Sequence, residues 1–343
     1  MAKSVVNAGS RSVTSFEVAD AAGVSQSTVS LVMSGKAEGR VSNATQLHVQ
    51  ETARRLGYAP NASAQILRTG VLKVIALAVP NVQQPFFGHV LLAAELAARE
   101  RDYSVLLVDT SDDAGWVDRL VGMIRSRLVA GCIVYASDDT VERKLRPIRD
   151  KILLVESENP DQSGIDLDIP GAMRAVVDHL TGLDHTRIGY LAADYPKATF
   201  RRRYEAFRTE MSARRLPIAS SWQTKATFEL EAATRAATSL LERREITALF
   251  CDDDLLAAAA YRAARAIGIR IPEDLSVVGF NDIELARIIH PELTTVAIPA
   301  DDVASASVEL LLGQLDGGRN RKRKPTIISL PLHVRASTAR HVT

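Results

Sequence analysis

The residues with the clearest capacity for specific chemistry lie between positions 25 and 31. Gln26, Ser27 and Ser30 carry carboxamide and hydroxyl groups, which both donate and accept hydrogen bonds. Ser25 stands where a helix would be capped, and Leu31 adds an apolar contact. Such side chains on the outer face of a helix, close to its N-terminus, are typical of an element that reads base edges in the major groove. The segment therefore indicates DNA recognition, and a small three-helix bundle that binds protein is the alternative.

The elements around this segment have the spacing of a helix-turn-helix. Thr14 and Glu17 form a capping-box pattern, which predicts the start of a first helix. Gly23 supplies the tight turn before the second helix, and a third helix is predicted from Ser42 to a stop at Gly57. The residues expected to form the apolar faces are Phe16, Val18, Ala19 and Ala22 in helix one, Val29, Val32 and Met33 in helix two, and Leu47, Val49, Ala53 and Leu56 in helix three.

The segment that follows, residues 58–70, has a different character. It is too short and too weakly apolar to form a stable helix alone, because helix nucleation is costly and short isolated helices are marginal in water. We therefore expect it to fold only against a partner, which would make it a switch.

The chain after position 71 alternates between short apolar runs and helical stretches. The predicted strands are 73–80, 104–109, 131–135, 152–155, 187–192, 247–251 and 276–280. This alternation indicates parallel sheets covered by helices on both faces. Breaks near 168–171, 297–299 and 325–328 are predicted to be crossings between two doubly wound subdomains, with a ligand site at the carboxyl ends of the strands.

Composition sets the outer limits. The 343 residues contain 46% hydrophobic residues and carry a net charge of +1, which permits a large core and does not suggest a protein that coats DNA. No apolar run reaches transmembrane length, and residues 1–10 lack the apolar core of a signal peptide, so we expect a cytoplasmic protein. Cys132 and Cys251 both lie in apolar runs, which favours buried thiols over a disulfide or a metal site. No cofactor is expected.

Several motifs occur together in this chain. They are Val24-Ser-Gln-Ser-Thr-Val-Ser30, Arg40-Val-Ser42, Leu56-Gly-Tyr58, and the stretch from Pro60-Asn61 to Leu67-Arg-Thr-Gly70. The combination resembles the lactose/galactose repressor family of bacterial transcription regulators. The resemblance implies an N-terminal all-α helix-turn-helix head and an α/β effector domain with two doubly wound parallel-sheet subdomains, similar to periplasmic binding proteins.

The resemblance also implies a division of the chain. Residues 1–13 would be a flexible extension, 14–60 the DNA-binding head, 61–70 the hinge helix and 71–343 the effector-binding and dimerisation domain. Within the last of these, the N-subdomain would span about 71–169 and 299–326, and the C-subdomain about 171–297 and 327–343.

Contacts with DNA follow from the same resemblance. The family reads the major groove with helix two and inserts a leucine of the hinge helix into the minor groove, a position that Leu67 occupies here. The implied DNA-binding residues are Ser25, Gln26, Ser27, Thr28, Ser30, Leu31, Arg40, Asn61, Ala64 and Leu67. Leu31 departs from several relatives, which carry Arg or His there, and leucine cannot make the bidentate hydrogen bonds that read guanine.

A second set of residues matches the family's effector site. Phe87 and Phe228 match aromatic residues that stack on the effector, although each is also a candidate for ordinary core packing. Arg203 matches an arginine that holds polar effector groups. The full implied set is Phe86, Phe87, Asp168, Lys197, Thr199, Arg203, Phe228, Asp253 and Asn281, in which Asp168 either orients the ligand or caps a helix.

Two of these positions depart from the family pattern. Asp253 stands where relatives commonly have Asn, and Asn281 stands where they commonly have Asp. A carboxylate only accepts hydrogen bonds, whereas a carboxamide both donates and accepts. We therefore hypothesise that the pair still binds polyol hydroxyls with donors and acceptors exchanged, so that the effector differs from those of the sugar- and purine-binding relatives.

Other parts of the sequence allow alternative interpretations. An enzyme could use Asp252-Asp-Asp254 to hold a metal, but the chain has no Gly-rich phosphate loop, no Gly-x-Ser-x-Gly elbow and no metal-spaced histidine pair. A secreted binding protein is disfavoured by the DNA-binding head. The basic run 319–324 is interpreted as a solvated loop, with nucleic-acid contact as the alternative. We expect a homodimeric repressor that binds operator DNA and a sugar, sugar derivative or nucleoside, with induction and corepression both open.

Overall fold

The structure is a computed structural model that describes residues 13–58, 72–111, 113, 115–159, 164–317 and 324–342. The chain divides into two compact units between Leu72 and Lys73. Nearly all of the predicted N-terminal extension and the whole predicted hinge helix, including Asn61, Ala64 and Leu67, lie outside the described residues.

The first unit contains three helices, α1 (Ser15–Ala22), α2 (Gln26–Met33) and α3 (Asn43–Leu56). The Thr14/Glu17 capping box is present, and Gly23 ends α1 with φ of 63°, a left-handed conformation that glycine adopts without strain. Ser25 and Ser42 cap α2 and α3 through their side chains, as predicted. The three helices enclose a small core that contains Val18, Ala19, Ala22, Val29, Val32, Ala37, Val49 and Ala53.

Two predicted core positions of this unit are exposed instead. Phe16 retains 68% of its surface and Leu47 66%, so neither contributes to the core. A bundle of this size has room inside for only one stripe of each helix. Phe16 and Leu47 fall at the edges of their stripes, and helical periodicity alone did not separate edge from centre.

The second unit alternates strands and helices. In chain order its elements are β1 (Val74–Val79), α4 (Pro85–Arg99), β2 (Ser104–Asp109), α5 (Trp116–Arg125), β3 (Gly131–Tyr135), α6 (Asp139–Leu145), β4 (Ile152–Val155), β5 (Ile165–Leu167), α7 (Ile169–Gly182), β6 (Ile188–Ala193), α8 (Ala198–Ala213), β7 (Gln223–Ala226), α9 (Leu230–Leu241), β8 (Ala248–Cys251), α10 (Asp254–Ala266), β9 (Ser276–Asn281), α11 (Leu285–Ile288), β10 (Thr294–Ala297), α12 (Ala300–Leu315), β11 (Thr326–Ile328) and β12 (Leu332–His333).

The strands form two six-stranded sheets. Their orders are β11-β5-β4-β3-β1-β2 and β12-β10-β9-β8-β6-β7, and every pairing is parallel except that of β10 with β12. Successive residues of a strand face opposite sides of its sheet, and both sides are covered here. In β1, for example, Ile75, Leu77 and Val79 pack in one core, while Ala76 and Ala78 pack in another. Strands that are apolar at every position are therefore consistent with this fold, because both faces of each sheet are buried.

Three segments connect the sheets. The first follows β5 and the second follows β10, close to the predicted positions. The third lies after Ile328 rather than at residue 326, because β11 still pairs with β5 in the first sheet. The crossings are hydrogen-bonded to one another, since Asp168 N donates to Ile328 O at 2.9 Å and Ala297 N donates to Pro331 O at 2.8 Å.

Both cysteines are fully buried and lie in inner strands of different sheets, Cys132 in β3 and Cys251 in β8. Burial raises the pKa of both thiols. Within the described part of the chain, no helix combines the length and the apolar character needed to cross a membrane.

Candidate functional site

A cleft lies at the carboxyl ends of both sheets of the second unit. The first sheet contributes residues that follow β1, β3 and β4, and the second contributes residues that follow β6, β7, β8 and β9. The lining residues are Pro80, Asn81, Gln84, Phe86, Phe87, Tyr135, Ala136, Glu156, Tyr195, Lys197, Thr199, Phe200, Arg203, Phe228, Asp253, Asn281 and Ile298. Such a mixture of aromatic walls and a few polar groups is typical of a small-molecule site.

The aromatic residues form one group on each side of the cleft. Phe87 lies between two neighbours in the first group, with ring centroids 5.1 Å from Phe86 and 5.7 Å from Tyr135. In the second group, Phe228 lies 6.2 Å from Tyr195 and 6.0 Å from Phe200. The two groups offer apolar surfaces to a flat or ring-shaped ligand from opposite sides.

Arg203 is the buried cation of the cleft. Its side chain projects from α8, retains 3% of its exposure, and places the guanidinium carbon 3.7 Å from the centroid of the Phe280 ring. One terminal nitrogen donates to Asp252 O at 2.7 Å, whereas Nε has no hydrogen-bond partner among the described residues. A buried donor without a partner is costly, so an acceptor on a ligand would stabilise this arrangement.

Glu156 faces Arg203 from the first sheet. It follows β4 directly and is buried, and its carboxylate accepts a hydrogen bond from Thr199 Oγ1 at 2.7 Å. Burial raises the pKa of Glu156, while the nearby Arg203 charge and the Thr199 hydroxyl oppose that rise in part. Glu156 was not among the predicted site residues, although its position immediately after a buried strand is typical of a ligand-contacting residue in an α/β sheet.

Asp253 and Asn281 meet on the opposite wall, where Asn281 Nδ2 donates to Asp253 Oδ2 at 2.7 Å. The other carboxylate oxygen of Asp253 accepts from Leu255 N at 2.8 Å and so caps α10. Burial raises the pKa of Asp253 to about 7, even though the Leu255 amide, Arg203 and Asn281 all favour the ionised form. Asp253 and Asn281, which we call the exchanged pair because their residue types are swapped relative to the family, therefore form a contiguous donor and acceptor surface within the cleft.

Some of the strained backbone conformations of the second unit occur at the cleft. Three cleft residues have left-handed φ angles, namely Ala136 at 49°, Glu156 at 50° and Asn281 at 107°. The next residue, Asp282, has φ of 53° and is held by Arg335 at 2.6 Å and His333 at 2.8 Å. Non-glycine residues in such conformations cost about 1–3 kcal/mol each and are typical of ligand sites.

The neighbouring carboxylates of the Asp252-Asp-Asp254 run have structural partners. Asp252 accepts from Tyr190 Oη at 2.6 Å and Ala193 N at 2.9 Å. Asp254 accepts from Thr295 Oγ1 at 2.6 Å and Ile283 N at 2.9 Å. Nor do the described residues contain a group of three or more histidine, cysteine or acidic side chains placed to hold a metal ion. The metal-site alternative therefore has no support in the geometry.

The structure brings together all but one of the residues selected for the cleft. Phe86, Phe87, Lys197, Thr199, Arg203, Phe228, Asp253 and Asn281 line it. Asp168 does not, because its carboxylate accepts from Gly171 N at 3.0 Å and caps α7 at the first crossing. The polar and aromatic lining residues that sequence analysis did not select are Asn81, Gln84, Tyr135, Glu156, Tyr195 and Phe200.

Helix α8 also links the two sheets along one side of the cleft. Thr199 bonds to Glu156 as described, and one turn further on Arg202 forms two hydrogen bonds with Asp166 of β5, at 2.8 Å and 2.7 Å. The Asp166 side chain is 4% exposed and that of Arg202 is 20% exposed. We refer to Thr199–Glu156 and Arg202–Asp166 as the α8 latch.

The first unit presents the second candidate surface. Ser25, Gln26, Ser27, Ser30 and Arg40 are exposed, as expected for residues that meet DNA. Thr28 is half-buried as a residue, and its hydroxyl bonds to the Ser25 hydroxyl at 2.8 Å. Leu31, expected on the outer face, is instead half-buried and packs on the core of the head, next along α2 to the buried Val32.

Comparisons with known proteins agree with this architecture. The profile of the lacI family of bacterial regulatory proteins matches residues 16–61, and that of the periplasmic binding protein-like domain matches residues 177–338. The HTH-type transcriptional regulator DegA of Bacillus subtilis is 31% identical over 336 residues, which cover 95% of this chain and 98% of DegA. The chain belongs to the lacI family.

Further relatives support the assignment to the lacI family. The HTH-type transcriptional repressor PurR of Vibrio cholerae is 31% identical over 313 residues, covering 90% of this chain and 93% of PurR. A structure of the Lac repressor dimer bound to operator and the anti-inducer ONPF has a TM-score of 0.84 at 24% identity, covering 96% of this chain and all of that one, and so supports the fold. A CelR–cellobiose complex has a TM-score of 0.70 at 26% identity, covering 95% and 99%.

The family settles the general class of the protein. It is a transcriptional regulator with a helix-turn-helix head and an effector-binding domain that resembles periplasmic binding proteins, and it is not an enzyme. The predicted fold class and family are confirmed by these matches.

Proposed function

We propose that this chain is a ligand-responsive repressor that binds a roughly palindromic operator as a homodimer in the cytoplasm. In this proposal residues 14–60 read DNA, residues 61–70 form a hinge helix, and residues 71–343 bind the effector and dimerise. A small molecule in the cleft would change the angle between the subdomains and thereby the spacing of the paired hinges. Coupling of this kind typically amounts to about 1–3 kcal/mol.

The unpartnered Nε of Arg203 carries the ligand-binding part of the proposal. It provides a buried donor in a cleft whose other polar groups are carboxylates, carboxamides, hydroxyls and the Lys197 amine, between two aromatic walls. A ring-shaped molecule rich in hydroxyl or amide groups satisfies this combination, so a sugar, sugar derivative or nucleoside is the proposed effector. The CelR structure contains cellobiose, which belongs to the proposed class.

The DNA-binding part of the proposal rests on the head. Ser25, Gln26, Ser27 and Ser30 offer hydroxyl and carboxamide groups on the exposed start of α2, and exposed Arg40 is a candidate phosphate contact. Thr28 and Leu31 remain in the proposed surface, with Thr28 acting partly through the cap and Leu31 through its exposed portion. Asn61, Ala64 and Leu67 complete it by resemblance to the family.

The test is a titration of genomic DNA fragments with and without a panel of sugars, sugar phosphates and nucleosides. A compound that lowers operator affinity would identify an inducer, and one that raises it would identify a corepressor. If no fragment binds specifically under any condition, the repressor proposal fails. If specific fragments bind but no compound changes their affinity or binds the cleft, the ligand-responsive part fails.

A second experiment addresses the exchanged pair. Asp253→Asn combined with Asn281→Asp restores the arrangement common in relatives, and we expect it to weaken binding of the compound found in the panel. If the double variant binds that compound as well as the unmodified protein does, the pair does not determine effector choice.

A further inference from the structure

The first residues of two helices in the head are joined by a side-chain hydrogen bond. Ser15 begins α1 and Gln26 begins α2, and Gln26 Nε2 donates to Ser15 Oγ at 3.0 Å. Eleven residues separate the two positions, so the bond depends on how the helices pack. Gln26 is exposed and Ser15 half-buried, which places the carboxamide on the open side of the contact.

The neighbouring hydroxyls are directed elsewhere. Ser25 Oγ lies 2.7 Å from Ser27 Oγ and 2.8 Å from Thr28 Oγ1, and it accepts from Thr28 N at 3.1 Å. This network keeps the short side chains of the first turn close to the helix cap. Gln26 has the longest polar side chain in the first turn of α2, and its partner, Ser15, lies outside this network of hydroxyl groups.

The bond to Ser15 limits what the carboxamide can read. The –NH2 group of glutamine has two hydrogens, and Ser15 accepts one of them. Oε1 and one N–H remain, which together match the N6 donor and the N7 acceptor of adenine. Guanine offers two acceptors on the same edge, N7 and O6, so a two-bond contact with guanine would require both hydrogens of the –NH2 group.

We propose that Ser15 is a specificity-determining positioning residue, which holds the Gln26 carboxamide so that it reads adenine in preference to guanine in each operator half-site. The inference rests on the proposed function, since it assumes that α2 enters the major groove. It assigns to Ser15 a role in base discrimination that acts through Gln26 rather than through its own contact with DNA.

The experiment is selection of binding sites from randomised duplexes by the full-length protein, followed by titration of duplexes that differ at single positions. The variants are Ser15→Ala, Ser15→Thr and Gln26→Ala. We expect the unmodified protein to select adenine at one position per half-site, and Gln26→Ala to lose that preference at the same position. Ser15→Ala should lower the adenine-over-guanine preference there by about fivefold or more, whereas Ser15→Thr, which retains a hydroxyl, should preserve it.

A second readout separates positioning from general damage. Ser15→Ala should leave the salt dependence of binding unchanged, because the number of phosphate contacts stays the same. If Ser15→Ala keeps the adenine preference, or if the unmodified protein prefers guanine at the Gln26 position, the inference about Ser15 is overturned and the proposed function is not. Loss of binding to all sequences equally in Ser15→Ala also overturns it. Absence of any specific site for the unmodified protein overturns the proposed function as well.

Discussion

Two opposing effects act on the ionisation of Asp253. The hydrogen bond from the backbone at the start of α10 favours the carboxylate, whereas burial favours the neutral acid and raises the pKa of Asp253 to about 7. An unfolded chain ionises the same carboxyl near its ordinary value of 3.8. Between these two values the folded protein holds the proton and the unfolded chain has lost it, so folding becomes less favourable as the pH rises.

Asp253→Asn should remove this part of the pH dependence. We expect the free energy of unfolding of the unmodified protein to fall, relative to the variant, as pH rises from 4 to about 7, and the difference to level off above that. Each unit of difference between the pKa in the folded and unfolded states changes the free energy of unfolding by about 1.4 kcal/mol. Urea unfolding at a series of pH values measures the difference, and Asp118→Asn, which alters a carboxyl that is 74% exposed, is the control. A constant difference across this range would contradict the prediction.

Arg203 should contribute to ligand affinity through its free Nε. Arg203→Met keeps much of the side-chain length but removes the donors, and we expect affinity for the compound identified by the panel to fall by about 1.5–3 kcal/mol. Arg208→Met on the same helix is the matched control, because Arg208 is exposed and lies outside the cleft. Calorimetric titration, with thermal unfolding to verify folding, makes the comparison. Equal affinities of the two variants would exclude the proposed role of Arg203.

Sequence patterns located eight of the seventeen residues that line the cleft, and the residues they missed show the limits of such patterns. Arg203 and Phe228 were found through family motifs, whereas Tyr195 and Phe200 were missed because aromatic residues near a helix start are common in cores. Asp168 was selected because it precedes a crossing, yet the same position makes it a helix cap. Which of two neighbouring polar residues faces a cavity depends on the strand register and loop conformation, and a single sequence does not fix these.

At the scale of elements, the α8 latch is the clearest link between the two halves of the second unit. Asp166→Asn breaks one of its pairs and leaves the Arg202 charge half-buried without its counterion. We expect the free energy of unfolding to fall by about 3 kcal/mol, since removing one partner of a buried pair is far more costly than removing both. Glu231→Gln is the matched control, because its pair with Arg262 is exposed on both sides and should contribute less than about 1 kcal/mol. Equal losses in a chemical denaturation series would contradict the latch.

The strands that could be predicted were those with a continuous apolar pattern of their own. The seven predicted strands all occur, each within about one residue of the expected bounds, because their apolar runs specify a strand locally. The strands β5, β7, β10, β11 and β12 were not predicted, and each has four residues or fewer. In β11, Thr326 and Ile327 are largely exposed, so the strand exists through its pairing with β5 rather than through its own pattern.

At the scale of the whole molecule, exposed leucines distinguish one face of the second unit. Leu92 and Leu96 of α4 are 61% and 52% exposed, and they lie four residues apart, so they share one face of the helix. A surface of this kind is typical of an interface between subunits.

We therefore expect Leu96→Asp to favour the monomer. Sedimentation velocity should show the unmodified protein as two chains of 37.2 kDa each, and the variant as a species of half that mass with weaker operator binding. Leu128→Asp, which places the same charge on a residue that is 50% exposed elsewhere, should leave the assembly intact. A dimeric Leu96→Asp protein would place the interface on another face, and a monomeric unmodified protein would remove the dimer from the proposal.

Each buried cysteine can report how often the sheet that contains it opens to solvent. Cys132 and Cys251 are the two cysteines of the chain, and each occupies an inner strand of a different sheet. An alkylating reagent reaches either sulfur only when the surrounding sheet opens. The labelling rate of Cys132 therefore reports how often the first sheet comes apart, and that of Cys251 reports the second. A ligand that contacts both walls of the cleft would slow the labelling of both cysteines, whereas a ligand that contacts one wall would slow the labelling of the cysteine in that sheet only.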